Sequence, residues 1–279
     1  METNYTSNPG QQASIQEVVA FLDAEFHPEL QESYDNSGFL LGNPATACTG
    51  VLTAVDLTEE VIDEAVATGA NLIATHHPFI FSGVKRITPA DSTGRMIYSL
   101  IRNGISVYAA HTNLDNLPQG VNGILAERLG LTDCHILQPL ADGGAVSNPS
   151  GEAGAGMVGV LSHPMTAIDF LRQTKEILGL PVVRHSDIAI PTVQRVAICG
   201  GAGNFLIGAA MKAGADIYLT GDLKYHDFQR AEGRITLADI GHFESEQYAP
   251  EIISSAISKK FSTFACSISR HGRSYVNYI

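Results

Sequence analysis

Apolar residues recur at helical spacing in IQEVVAFLDAEF, and Ser14 with Glu17 three places on forms a capping box. A helix is therefore predicted to open after Ser14 and to stop before Pro28. ELQESYDNSGFLLGNP, rich in turn formers, is predicted as loop and extended chain. VLTAVD reads as a buried strand, and Thr58 is placed to cap the helix EEVIDEAVAT, which Gly69 ends. NLIATHHP is a strand that runs directly into two histidines. DSTGRMIYSLIRNG predicts the next helix, ISVYAAHTNLD a strand with polar residues at its end, and VNGILAERLG a helix closed by Gly130. Strands alternating with helices at this spacing predict an α/β fold of largely parallel or mixed sheets, covered by helices on both faces.

Residues 141–156, ADGGAVSNPSGEAGAG, have no periodicity and are predicted to be an exposed loop. Beyond them MVGVLSHP, MTAIDFLRQTKEILG and PVVRHSD read as a β-α-β unit, and VQRVAICGG, FLIGAAMKAG and ADIYLTGD as another strand, helix and strand. ITLADIGH adds a strand, EIISSAISKKF a helix, and the residues from Ser262 on supply one further strand at most. At an offset of 145 positions, Val51, Ile62, Ala65, Gly69, Ala70 and Thr75 coincide with Val196, Ile207, Ala210, Gly214, Ala215 and Thr220. The coincidence predicts two related α/β/α units. The corresponding division is a tail at 1–13, a first half at 14–131, a second half at 132–240 and a C-terminal segment at 241–279 that carries ligands, a helix and a strand returning to the first half.

Composition narrows the functional classes. The chain has 279 residues and a formal net charge of −12, with no block of Lys or Arg, so a nucleic-acid partner is not expected. No run of eighteen apolar residues exists and the polar start lacks a signal-peptide core, which together predict a cytoplasmic protein without a membrane span. Cys48, Cys134, Cys199 and Cys266 are widely separated and form no CxxC pair, as expected of reduced thiols rather than a zinc ribbon or disulfide scaffold.

Ligands of open α/β sheets bind beyond the carboxyl ends of the strands, so the residues just after each strand are informative. His76 and His77 come after one strand, His111 and Asp115 after another, Asp222 and His226 after a third, and His242 and Glu246 after a fourth. Adjacent His76 and His77 diverge and suit two neighbouring ions, one each. His242 and Glu246, four apart, share one face of a helical turn, and Glu246 has the reach to bridge two cations. Imidazole with carboxylate suits zinc, iron or manganese. Two such ions hold a hydroxide and clamp an attacked oxygen or phosphate. His111 and His226 are candidates for catalysis or for orienting a ligand. Asp222, Lys224 and Lys85 are candidates for supporting the ligands or neutralising a substrate phosphate. GGAGN at 200–204 offers either backbone amides to a phosphate or a tight strand-to-helix turn. Single histidines such as His27, His135, His163, His185 and His271 are read as structural or surface residues.

Six segments closely resemble the GTP cyclohydrolase 1 type 2 homolog family. They are ESYDNSGFLLG at 32–42, THHPFIFSGVKRI at 75–87, YAAHTNLDNLPQGVNGILAERLGL at 108–131, VAICGGAGNFL at 196–206, ADIYLTGDLKYHD at 215–227 and DIGHFESE at 239–246. Residues 132–190 are less specific. Tyr34 stands where the family commonly has tryptophan, a difference expected to bear on packing rather than chemistry. The resemblance implies a paired α/β fold, a homohexamer built as a trimer of dimers, and two divalent ions per subunit. Longer relatives carry an inserted domain for which this chain has no room. By resemblance His77 and Asp115 bind one ion, His76 and His242 the other, and Glu246 bridges them. The family name implies opening of the GTP imidazole ring, with a metal-bound hydroxide adding at C8, a nearby His moving protons and formate leaving. The same residues would serve a metal-dependent phosphohydrolase. A non-enzymatic metal-handling protein or protein-binding scaffold is the third reading.

Overall fold

A computed structural model of the chain describes residues 12–140 and 152–279. In chain order its main elements are α1 (Ile15–Phe26), β1 (Gly38–Leu41), β2 (Gly50–Ala54), α2 (Glu59–Thr68), β3 (Leu72–Thr75), α3 (Ser92–Arg102), β4 (Ser106–Ala109), α4 (Thr112–Asp115) and α5 (Val121–Arg128). There follow β5 (Leu131–Pro139), β6 (Gly154–Thr166), α6 (Ala167–Ile177), β7 (Arg184–His185), β8 (Thr192–Ala202), α7 (Ile207–Lys212), β9 (Ile217–Gly221) and α8 (Tyr225–Gln229). The chain ends with β10 (Thr236–Asp239), α9 (His242–Glu246), α10 (Ala249–Lys260) and β11 (Ala265–Ile268). The capping box of Ser14 and Glu17 forms, the Thr58 side chain accepts from Val61 N–H, and Gly69 closes α2 in the left-handed conformation.

The polypeptide divides into two units, one of Met1–Thr112 with Ala249–Gly272 and one of Asn113–Tyr248 with Arg273–Ile279. In the first unit the strand order is β1-β4-β3-β2-β11, all parallel except β1, which runs antiparallel to β4. Every residue of β2, β3 and β4 is buried, as expected where helices cover both faces. One face packs Leu52, Ile73 and Val107 against Val61, Ile62 and Ala65 of α2 and Leu100 of α3. Each fully buried aliphatic side chain of this kind stabilises the fold by roughly 1.5–3 kcal/mol.

The second unit has the order β5-β6-β8-β9-β10-β7, with β8, β9 and β10 parallel and the other strands antiparallel to their neighbours. This topology corrects the β-α-β unit expected over residues 157–187. β6 pairs antiparallel with β5 and β8, while β7 lies at the far edge beside β10. A buried apolar run reports burial and not the direction of pairing, so the sequence could not separate the two. The loop expected at 141–156 also changes, since 154–156 already belong to β6. Residues 141–151 lie outside the described residues, as do residues 1–11 of the expected tail. HTNLD turns from the strand end into the short helix α4.

The repeat inferred from sequence survives as backbone register. Val51 pairs with Leu72 and Leu52 with Ile73 in the first unit; Val196 pairs with Ile217 and Ala197 with Tyr218 in the second, at the same offset of 145. The equivalence extends to the next strand. Ala110 N–H donates to Thr75 O at 2.9 Å, and Ile240 N–H donates to Thr220 O at 2.8 Å. After each of these strand ends the chain turns into a short helix, α4 or α9. Among the described residues no helix is long and apolar enough to cross a membrane.

Candidate metal centre

Polar residues occupy the carboxyl ends of the parallel strands in both units, where the backbone has left the ladder and side chains project past the sheet. In the first unit β3 delivers His76 and His77, whose amides still donate to Ala54 O at 3.0 Å and Val55 O at 2.9 Å. Two residues past β4 stands His111. The three imidazoles form a triangle with ring centroids 5.0 Å apart for His76 and His77, 5.3 Å for His76 and His111, and 5.4 Å for His77 and His111.

Each of these rings is held through Nδ1. His76, fully buried, has Nδ1 2.7 Å from Ala110 O. A carbonyl only accepts, so Nδ1 carries the proton and Nε2 the lone pair. Nδ1 of His77 lies 2.8 Å from Asp56 Oδ1, and Nδ1 of His111 lies 2.7 Å from Asp35 Oδ1. Burial alone would raise the Asp35 pKa. The hydrogen bonds from His111 and Thr112 and the His111 charge outweigh it and hold the carboxyl well below the usual carboxylate range.

The second unit supplies carboxylates and a fourth imidazole. His242 opens α9 and its Nδ1 lies 2.8 Å from Asp222 Oδ2, with Asp222 left-handed at φ 57° just beyond β9. His242 Nε2 is 3.1 Å from Oε2 of Glu246, one turn along the helix, so the predicted shared face is present. The Glu246 side chain is only 3% exposed. Asp115, half-buried at the end of α4, is tied to the sheet through Asn122. The Asn122 amide donates to Asp115 O at 3.0 Å and its oxygen accepts Gly200 N–H at 2.9 Å.

His76, His77 and Glu246 are residues that could hold a metal ion. The donor chemistry fits, since lone pairs on Nε2 with a carboxylate suit zinc, iron or manganese. Cys199 does not compete. Burial, then the charges of Asp115 and Glu246, raise its pKa and keep it a thiol.

The glycine run at 200–204 serves packing. Amides of Gly200, Gly201 and Gly203 donate to Asn122 Oδ1, Ser245 Oγ and Thr220 Oγ1, each at 2.9 Å, and so are already engaged rather than offered to a phosphate. Gly201 sits at φ +60°, and a Cβ there would run into the Glu246 carboxylate. Lys85 is exposed in the segment between β3 and α3, Lys224 is exposed before α8, and His226 is exposed on α8 with Nδ1 3.1 Å from Gln229 Oε1. Tyr34 does not fill a core: it is 61% exposed, with its ring 6.4 Å from that of Phe81.

Two site residues escaped the sequence reading. Asp56 comes two positions after β2, so the strand-end criterion reaches it once applied to that strand. Asp35 precedes β1, the antiparallel strand. Pairing of Gly38 with Ala109 brings the start of β1 alongside the end of β4, a juxtaposition that only topology reveals.

Two outcomes are expected. Gly201→Ala displaces Glu246 and weakens metal affinity about 10–100-fold, whereas Gly208→Ala, whose Cβ meets nothing within 4 Å, leaves it unchanged; competition with a chromophoric chelator measures both. Because the folded-state pKa of Asp35 is depressed, its contribution to stability is complete above the unfolded value of about 4 and is lost as pH falls below it. Urea titrations between pH 7 and 3 should therefore show Asp35→Asn destabilised at neutral pH and less acid-sensitive than wild type.

Known proteins share both the sequence and the fold. A curated Clostridium perfringens protein named GTP cyclohydrolase 1 type 2 homolog is 37% identical over 235 residues, covering 83% of this chain and 86% of its own. A solved Staphylococcus aureus hypothetical protein superposes with a TM-score of 0.87 at 30% identity, over 96% of this chain and 100% of that one. A Bacillus cereus protein described as related to NIF3 has the same fold, with a TM-score of 0.87 at 24% identity over 97% and 100% of the two chains. The model of the family described as Duf34/NIF3 (NGG1p interacting factor 3) matches residues 13–271, and the chain belongs to that family.

Proposed function

We propose that this chain binds two divalent metal ions and hydrolyses a purine nucleotide or a related phosphorylated heterocycle. The observation that carries the reading is the way the imidazoles are held. His76, His77 and His242 each have Nδ1 engaged, which makes Nε2 the candidate ligand atom, and buried Glu246 is a further candidate ligand. His77 and Asp115 are assigned to one ion, His76 and His242 to the other, and Glu246 to both. Asp56 and Asp222 fix the rings of His77 and His242 and increase their basicity. His111 is the first candidate for proton transfer, because its ring adjoins those of His76 and His77; His226 is the second. Lys224 and Lys85 are candidates for meeting a substrate phosphate. When bound, two such ions supply activation of water and stabilisation of the charge that builds on the attacked group. GTP is the first substrate to assay, because the curated Clostridium perfringens relative carries a GTP cyclohydrolase name. A cytoplasmic homohexamer is part of the same reading and rests on family membership.

Elemental analysis after incubation with zinc, manganese or iron should give two ions per chain, and Glu246→Gln should lower both. Folded protein that takes up only traces of all three metals rules out the metal centre. With metal in place, GTP turnover should release formate, and His77→Ala or Asp115→Ala should abolish it while leaving circular dichroism unchanged. Phosphate without formate reassigns the protein to phosphohydrolysis. No product from GTP, GDP or simple phosphoesters, with both ions verified, assigns it to metal handling or protein binding.

A further inference from the structure

The last residue of β10 does more than close its strand. Asp239 pairs in the ladder with Thr220 of β9 on one side and with Arg184 of β7 on the other. Its buried carboxylate divides its contacts between two neighbouring chain segments of the second unit. Oδ1 accepts Gly241 N–H at 3.0 Å, while Oδ2 accepts Leu223 N–H at 3.0 Å and the Arg184 guanidinium. The same Arg184 nitrogen donates to Leu223 O at 2.9 Å. Both backbone groups of Leu223 are therefore met by one side-chain pair, and its own side chain fills the core of the unit.

Leu223 follows Asp222 and Gly241 precedes His242, the two residues whose side chains meet at 2.8 Å. Neither exit from the sheet is relaxed extended chain. Asp222 is left-handed at φ 57°, and Gly241 has φ 82° with ψ 145°, conformations that residues with a Cβ rarely adopt. The Asp222–His242 contact cannot hold these turns in place, because the two side chains are 57% and 37% exposed and water competes for both. Hydrogen bonds to a buried charged group are stronger and have no such competitor. We propose that Asp239, braced by Arg184, is the positioning residue for His242: its two oxygens fix the exits of β9 and β10, so the imidazole is oriented before any ion arrives. The proposal rests on the metal-binding reading for its purpose, but the fixing of the two exits does not.

Orientation in advance matters because a ligand ordered only when the ion binds loses part of the binding free energy to that ordering. Arg184 has a separate part. Directly across from Asp239, it neutralises a carboxylate that would otherwise be buried alone, and it joins the edge strand β7 to the chain beyond β9. A lysine at 184 has the donors for both contacts, and an alanine has none.

Asparagine at 239 keeps the shape of the side chain and removes one acceptor. Two donors converge on the Oδ2 position, so the amide oxygen settles there and the NH2 group faces Gly241 N–H, donor against donor. The zinc affinity of full-length Asp239→Asn, read by competition with a chromophoric chelator, should fall about 10–100-fold. Arg184→Ala should also lower it, and Arg184→Lys should restore it. Asp216 supplies the control for a purely structural carboxylate. It precedes β9 at the opposite end of the strand, where its Oδ2 accepts Gln194 N–H and Arg195 N–H, each at 2.8 Å. Asp216→Ala should lose stability in urea and bind zinc as wild type does. Wild-type affinity in Asp239→Asn overturns the proposal, and so does an equal loss in Asp216→Ala. If Asp239→Asn does not fold, the Arg184 variants decide, and an alanine that binds like lysine overturns the proposal.

Hydrogen exchange of the metal-free protein, followed by mass spectrometry, reads the exits without any ion. The Gly241 amide should lose protection in Asp239→Asn and keep it in Asp216→Ala. Unchanged protection in Asp239→Asn overturns the proposal. Wild type that takes up no zinc rejects the metal reading, and the exchange result alone then decides whether Asp239 fixes the exits.

Discussion

An imidazole has two nitrogens, and a site built from several of them works only when each ring presents a chosen one. The structure meets that constraint by the same means four times: an acceptor behind the ring holds Nδ1 and so fixes which way Nε2 faces. The acceptor is the Ala110 carbonyl for His76 and a carboxylate for His77, His111 and His242. These partners in turn depend on where the strands end. Asp56 leaves β2 beside the end of β3, Asp222 leaves β9 beside the end of β10, and Asp35 enters along β1. Ring orientation is thus a property of sheet topology.

The matching register of the two units explains how so many polar groups collect at strand ends without disturbing the cores. In each unit a threonine at the end of the middle strand, Thr75 or Thr220, receives an amide from the next strand and directs its own hydroxyl to a backbone carbonyl, His77 O or Gly201 O. The ladder is satisfied up to its last residue, and functional side chains start one position later. Equivalent positions then diverge in chemistry. After Thr75 come two imidazoles; after Thr220 come Gly221 and Asp222. Gly221 is required by close approach, since a Cβ there would meet the backbone of His242. One frame therefore supplies rings in one unit and, in the other, clearance for the helix that carries a ring.

Much of this was legible in the order of residues. Helix starts were readable because Ser14 and Thr58 announce themselves by caps, a local interaction that the sequence encodes within four residues. The parallel strands were readable as short buried runs, and the metal-ligand candidates as the polar residues just beyond them. Direction of pairing was not, which is why β6 and β7 were misplaced: an antiparallel neighbour and a parallel one demand the same apolar residues. Asp35 was missed for a related reason. It lies in a loop of turn formers, and its role arises from contact with a histidine 76 positions away. The glycine run at 200–204 was ambiguous because glycine marks any close approach. The identity of the approaching group, a glutamate rather than a phosphate, is tertiary information.

The return of the chain to its first sheet has a consequence for synthesis. β11 pairs in parallel with β2, Cys266 opposite Val51, and it is encoded after every strand of the second sheet. Until that strand emerges from the ribosome, the outer edge of β2 carries unpaired backbone groups on a fully buried, apolar strand, the kind of edge that recruits foreign strands. The second unit has no such wait for its sheet, all of whose strands are complete by Asp239. During synthesis the strands of the later-encoded sheet are therefore all available before the earlier sheet has its last strand. A truncation or premature stop after α10 would leave the β2 edge unpaired.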